Sequence, residues 1–165
     1  PCMTHASTPL MSETSDASAA PIDLRSRVAD ISRYFETISP PTLADIPHWY
    51  TPDARFKDPF NDVRGTAAIT RIFEHMFHSL HEPRFVVTRQ IVDGTHAFLV
   101  WEFHFRFRRF DTTTHQIVNG GSHLTLTPQG QISEHRDYWD AAEELYEKLP
   151  VLGGLMRWLK SRANT

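Results

Sequence analysis

The sequence has little cysteine, no strong excess of charge of either sign and no long apolar run. Its one cysteine, Cys2, has no partner for an internal disulfide, which is typical of a reducing compartment, so we expect a cytoplasmic location. A net charge of −3 gives no reason to expect nucleic acid as a partner. No stretch approaches the roughly 18 apolar residues of a membrane span. We therefore expect no stable membrane insertion.

The chain divides into three parts by composition. Residues 1–20 are rich in small and polar residues and lack a basic segment followed by an apolar one, so they predict a disordered tail and no secretory signal. Residues 21–140 carry alternating apolar patterns and are long enough for one domain with a core. Residues 141–165 predict a C-terminal amphipathic helical extension, interrupted at Pro150.

The apolar period changes once along the domain. Apolar residues at helical spacing predict a helix that ends before Pro40 and another from Thr66 to Leu80. After Pro83 the period becomes two, and it predicts four successive strands in "RFVVTRQIV", "HAFLVWEFHFRFRRF", "QIVNGGSHLTLT" and "QISEHRDYWD". Helices followed by an antiparallel meander indicate an α+β fold, with the N-terminal helices packed in a curved antiparallel sheet.

Strand alternation predicts which side chains face inward. In "WEFHFRFRRF" the aromatic residues share one face, which we expect to be buried: Trp101, Phe103, Phe105 and Phe107. In the last strand Asp137 shares a face with His135 and Trp139. An inward carboxylate is either a catalytic group or a structural one that accepts hydrogen bonds from its surroundings. The pattern leaves both open.

The stretch "RFKDPFNDVRGTAAITRIFEHMF" presents Asp58 between a short strand and a helix. Aspartate before proline often shapes a turn by accepting bonds from nearby amides, and it can equally face a substrate. Together with Arg33-Tyr34, the Asp58-Pro59 and Gly65–Ile69 segments resemble the ketosteroid isomerases, and the interval from Tyr34 to Asp58 is similar to that family's. The chain thus resembles the nuclear transport factor 2-like, or SnoaL-like, superfamily with its cone-shaped fold.

The resemblance implies roles for particular side chains. Asp58 would be the general base, Tyr34 would donate to the developing enolate oxygen, and Asp137 or His135 would be a second acid or base. The position of the family's second donor is Ser122, next to His123. The other residues expected to bind the ligand are Phe73, Trp101, Phe103, Phe105 and Trp139. If these roles hold, the carboxylates and the tyrosine converge on one cavity, and the chemistry needs no cofactor and no metal.

Two further resemblances concern the last strand. "HRDYWD" is similar to a segment of limonene-type epoxide hydrolases, but Phe103 and Phe105 stand where that family has an arginine and an aspartate, so we expect no epoxide hydrolysis of that kind. Polyketide cyclases and scytalone dehydratase use aspartate and histidine around an aromatic cavity. Here those residues would be Asp58, Asp137, His123 and His135.

Two functions follow as expectations. One is a cofactor-free isomerase or lyase acting by proton transfer on a hydrophobic carbonyl compound. The other is a non-catalytic module that binds a small hydrophobic molecule in the same pocket, or a protein on the outer sheet face, where we also expect a homodimer to form. His75, His78 and His81 have the spacing of metal ligands, but His81 follows the predicted helix, so we expect no metal site.

Overall fold

The computed structural model describes residues 22–109 and 111–141. The predicted disordered tail over residues 1–20 lies outside them. The predicted helical extension over residues 141–165 also lies outside them, apart from Ala141. Within the described ranges no helix is long and apolar enough to cross a membrane.

The helices lie in the first half of the domain, as predicted. Helix α1 spans Leu24–Thr37, and Asp23 caps it by accepting a 3.0 Å hydrogen bond from the backbone N–H of Arg25. A 3-10 helix, Pro40–Asp45, and the short helix α2, Ile46–Trp49, follow. Helix α3 spans Thr66–Ser79 and begins after Gly65, whose φ of 88° suits glycine.

Among the described residues, six strands form one curved sheet. They are β1 (Tyr50–Lys57), β2 (Asp62–Arg64), β3 (Leu80–Asp93), β4 (His96–Phe107), β5 (Gln116–Leu126) and β6 (Ile132–Tyr138). Their order is β2-β1-β6-β5-β4-β3, and every neighbouring pair is antiparallel except β1 and β6, which are parallel. The four-strand meander and the α+β class are thereby confirmed. Strand β2 and the parallel pair were not predicted.

The core lies between the sheet and the helices α1 and α3. Each helix contributes a buried apolar stripe, and the sheet contributes the inward residues of its strands: Val28, Ile31, Ile69, Phe73, Leu99, Leu124 and Ile132. The burial predicted for β4 holds for Trp101 and Phe105, whereas Phe103 and Phe107 are half-buried. His104, on the other face of the strand, is also buried, so the alternation is not strict.

Two glycines in β5 admit large rings beside the backbone. A Cβ at Gly120 would overlap the ring of Trp101, and one at Gly121 would lie 2.5 Å from the ring of Phe98. Side chains at these positions would displace both rings. Because Gly120 has no side chain, the Trp101 ring can lie across β5, beside Ser122.

Candidate active site

An apolar cavity of about 360 Å³ lies between α3 and the inner face of the sheet. Its volume is in the range of small-molecule sites. Aromatic rings make up much of its wall: Phe73, Trp101, Phe103, Phe105, Phe107 and Trp139. All the residues predicted to form an apolar pocket therefore line one cavity.

A deeper recess of about 30 Å³ adjoins this cavity. It is enclosed in part by Leu99, Ser122 and His135, and it shares Trp101 and Asp137 with the cavity. A space of this size holds about one water molecule. Asp137 thus lies where the apolar cavity meets a small recess that also holds Ser122 and His135.

A chain of hydrogen bonds ends on one oxygen of Asp137. Oδ1 of Asp137 accepts a hydrogen bond of 2.5 Å from the Ser122 hydroxyl, and Nε2 of His135 lies 2.8 Å from the same oxygen. The indole N–H of Trp101 donates to Oγ of Ser122 at 2.8 Å. The Ser122 hydroxyl therefore accepts from Trp101 and directs its proton to the carboxylate, while Nε2 of His135 lies 3.2 Å from the same hydroxyl oxygen.

Tyr50 determines the tautomer of His135. Its hydroxyl lies 2.6 Å from Nδ1 of His135. With a carboxylate at Nε2, the neutral imidazole carries its proton there and accepts the Tyr50 proton at Nδ1. Tyr50 is fully buried, and this burial raises its pKa well above the usual value, with the charge of Asp137 adding to the effect. Tyr50 is therefore a permanent donor at neutral pH.

The raised pKa of Tyr50 predicts a loss of stability in alkali. The folded protein keeps the Tyr50 proton above pH 10, where the unfolded chain releases it, so the free energy of unfolding falls as the pH rises beyond about 10. We expect Tyr50→Phe to make this fall shallower in urea unfolding between about pH 8 and about pH 11. Tyr34, whose pKa burial raises to about 12, contributes equally in both proteins. Identical slopes for the two proteins would contradict the assignment.

The second carboxylate oxygen of Asp137, Oδ2, accepts no hydrogen bond from the described residues. The Asp137 side chain retains 16% of its accessible surface. One oxygen is thus held by two donors and the other has no protein partner among the described residues. This arrangement orients a carboxylate while leaving it able to accept a proton.

Asp58 also lines the cavity, but its carboxylate is occupied by a turn. Oδ1 accepts hydrogen bonds of 2.7 Å from the Phe60 amide and 2.6 Å from the Asn61 amide, and Oδ2 accepts one of 2.9 Å from the Asn61 side chain. Oδ1 therefore holds the backbone after β1, and Oδ2 is occupied by the Asn61 side chain. Of the two interpretations of Asp58, the turn is the one that these contacts show.

Tyr34 does not join the two carboxylates at the cavity. Its hydroxyl donates to the backbone carbonyl of Thr42 at 3.0 Å, and its ring stacks on Trp49 at 5.0 Å. Neither the cavity nor the recess includes Tyr34 in its lining. The expected convergence therefore holds for Asp58 and Asp137 and not for the tyrosine.

Comparison of the sequence with known protein families identifies the family of this chain. The model of the SnoaL-like domain matches residues 31–135, which run from α1 to the histidine of the site. The chain belongs to this family. No curated protein matches the sequence of this SnoaL-like domain.

Solved structures share the fold of the SnoaL-like domain. A protein from Catenulispora acidiphila with a ketosteroid isomerase-like fold, solved with trimethylamine, is 14% identical with a TM-score of 0.61, over 72% of this chain and 88% of its own. SalBIII, an epoxide hydrolase/cyclase-like enzyme of pyran ring formation in salinomycin, is 21% identical with a TM-score of 0.62, over 72% and 93%. An epoxide hydrolase of the LEH-like type from M. tuberculosis is 12% identical with a TM-score of 0.58, over 73% and 85%. These likenesses establish the nuclear transport factor 2-like fold alone.

The SnoaL-like domain brings together most of the residues singled out from its sequence. His135 and Asp137 are bonded to each other, Ser122 is bonded to Asp137, and Trp101 is bonded to Ser122. Sequence reasoning missed Tyr50, because its contact with His135 depends on the parallel pairing of β1 with β6. The one available signal was a tyrosine at the start of a strand.

The histidines with metal-like spacing do not form a metal centre in the SnoaL-like domain. His75 lies 3.3 Å from the Ser79 hydroxyl within α3, whereas His81 belongs to β3. Within residues 22–109 and 111–141, no group of three histidine, cysteine or acidic side chains has the arrangement of a metal site.

Proposed function

We propose that this SnoaL-like protein is a cofactor-free isomerase or lyase that acts on a hydrophobic carbonyl compound, with Asp137 as the general base. One observation carries the proposal. The Asp137 carboxylate lies in the wall of an aromatic cavity with Oδ1 held by His135 and Ser122 and with Oδ2 without a partner among the described residues.

The surroundings of Asp137 suit the removal of a proton from carbon. Oδ2 would accept a proton from the carbon beside the substrate carbonyl, and the electron pair of that C–H bond would pass to the carbonyl as an enolate. Return of the proton to another carbon completes an isomerisation, and loss of a β-substituent completes an elimination. The hydrogen bonds from His135 and Ser122 hold the carboxylate in one orientation throughout.

His135 and Tyr50 act in this proposal as positioning residues. Nε2 of His135 is directed at Asp137 because the Tyr50 hydroxyl occupies Nδ1. The aromatic wall beside Asp137 would hold the apolar part of the substrate against the carboxylate. Asp58 is assigned to the turn in this proposal and Tyr34 to the packing of α1, because the hydrogen bonds of both are already made.

The alternative is a binding module without catalysis. The observation that favours it is the aromatic wall, which would hold an apolar ligand whether or not Asp137 reacts. Shared fold with cyclase-like and hydrolase-like enzymes supports a catalytic role at the level of the fold only.

Exchange of substrate hydrogens with solvent distinguishes the catalytic function from the binding module. We expect the protein in D2O to speed deuterium incorporation beside the carbonyl of apolar ketones of about ten carbon atoms, a size suited to this cavity. Proton NMR measures the loss of the α-hydrogen signal against a buffer control. Saturable binding of these ketones with exchange no faster than in buffer would leave only the binding module.

A further inference from the structure

The basic cluster "RFRR" after Phe105 divides into two environments. Arg106 faces away from the cavity and donates to Glu82 at 2.8 Å, an ion pair between exposed side chains. Arg108 and Arg109 instead line a surface pocket of about 720 Å³ together with Phe77 and His78. Among the described residues, none that lines this pocket is acidic.

The basic pocket opens beside the aromatic cavity. The two spaces share Ser79 and Phe107. From these residues the cavity wall follows β4 back to Trp101, whose indole bonds the Ser122 hydroxyl next to Asp137. Six residues of strand separate Trp101 from Phe107, which is roughly 20 Å at the usual rise of a strand. The arginines and the proposed base therefore lie at opposite ends of an elongated apolar space.

Arg108 is held in place without being neutralised. Its guanidinium donates to the backbone carbonyl of Leu80 at 2.9 Å and of Phe77 at 3.3 Å, at the end of α3. Within residues 22–109 and 111–141, no carboxylate forms an ion pair with Arg108 or with Arg109. The positive charge of this pocket is thus available to a bound anion.

We propose that the substrate is an elongated apolar molecule with a terminal carboxylate, and that Arg108 and Arg109 bind the carboxylate at the mouth of the cavity. This inference rests on the proposed function, because it assigns the reacting carbon to the Asp137 end. The forked guanidinium matches a carboxylate with paired N–H donors. The opposite orientation would bring two carboxylates together at Asp137, whereas this one keeps them at opposite ends of the cavity.

Binding of a matched acid and alcohol tests this assignment. We expect the wild-type protein to bind decanoate about threefold to tenfold more tightly than decanol in titration calorimetry, and this preference to shrink at high salt. Arg109→Gln should weaken decanoate binding by a similar factor and leave decanol unchanged. The double variant with Arg108→Gln should remove the preference, provided that circular dichroism shows the fold intact.

Arg106→Gln is the matched control. It removes the same charge from the same strand end, but from the residue paired with Glu82, so it should leave both affinities unchanged. Equal binding of acid and alcohol by the wild-type protein would overturn the inference, and so would an equal loss in the Arg106 and Arg109 variants.

The failure of this inference and that of the proposed function give different results. If the protein speeds deuterium exchange at ketones but binds decanoate no more tightly than decanol, the carboxylate site is overturned and the catalytic proposal stands. A preference that depends on Arg109, in a protein with no exchange activity on ketones or keto acids, would support the site and overturn the catalytic proposal.

Discussion

Replacement of Asp137 by asparagine should lower turnover of an apolar ketone by about 10²- to 10⁴-fold, the usual contribution of a general base. Asparagine has the shape of aspartate but cannot accept the proton. Its carbonyl oxygen can still accept the hydrogen bonds that Ser122 and His135 make to Oδ1. We therefore expect the affinity for the ketone to change little while kcat falls, as measured by exchange kinetics and by calorimetry.

Asp58→Asn is the matched control for this experiment. Asp58 also lines the cavity, but its oxygens accept from the amides of Phe60 and Asn61, and an asparagine side chain can make the same turn. We expect this variant to keep activity within a few-fold of wild type. A large loss with Asp58→Asn and none with Asp137→Asn would assign the base to Asp58, as the resemblance to ketosteroid isomerases implies.

Removal of the His135 side chain should cost about 3–5 kcal/mol of folding free energy, similar to the loss of a buried aromatic ring. The ring is 5% exposed and packs at 4.7 Å from the ring of Phe56 and 5.5 Å from that of Phe35. His135→Ala would leave a cavity there and would also leave the buried Tyr50 hydroxyl without its acceptor. Urea unfolding at neutral pH measures the difference.

His96→Ala is the comparison for His135→Ala. His96 is exposed at the start of β4, and its side chain lies 3.0 Å from that of His123 on the surface. We expect its removal to change the free energy of unfolding by no more than about 0.5 kcal/mol, as is usual at the surface. Similar losses for the two variants would show that His135 is not the buried centre of the network.

Much of the fold could be predicted from periodicity. The apolar stripe of α3 and the alternation of Trp101, Phe103 and Phe105 in β4 each depend on neighbours within a few residues, so the sequence displays them directly. Strand β2 is only three residues long and has no alternation to read. The parallel pairing of β1 with β6 depends on residues far apart in the chain, which no local pattern encodes.

The residues of the candidate site that lie on strands could be predicted, because alternation shows which side chains point inward. Asp137, His135 and Trp139 were placed inward by alternation, and they lie at the cavity or the recess. The direction of the Tyr34 hydroxyl could not be read from its interval to Asp58, because that interval fixes no side-chain direction. Tyr34 lies on a buried helix face, and its hydroxyl takes the nearest backbone acceptor, the carbonyl of Thr42.

The parallel contact between β1 and β6 makes the site depend on a closure between distant parts of the chain. The bond between Tyr50 and His135 joins residues 85 positions apart. Contacts of such separation carry a large loop-closure entropy, so we expect them to form late in folding. A nascent chain that has completed α1, α3 and the first strands would then have much of the cavity wall but not the hydrogen-bond network around Asp137. That network would be complete only once the last strand has docked beside the first.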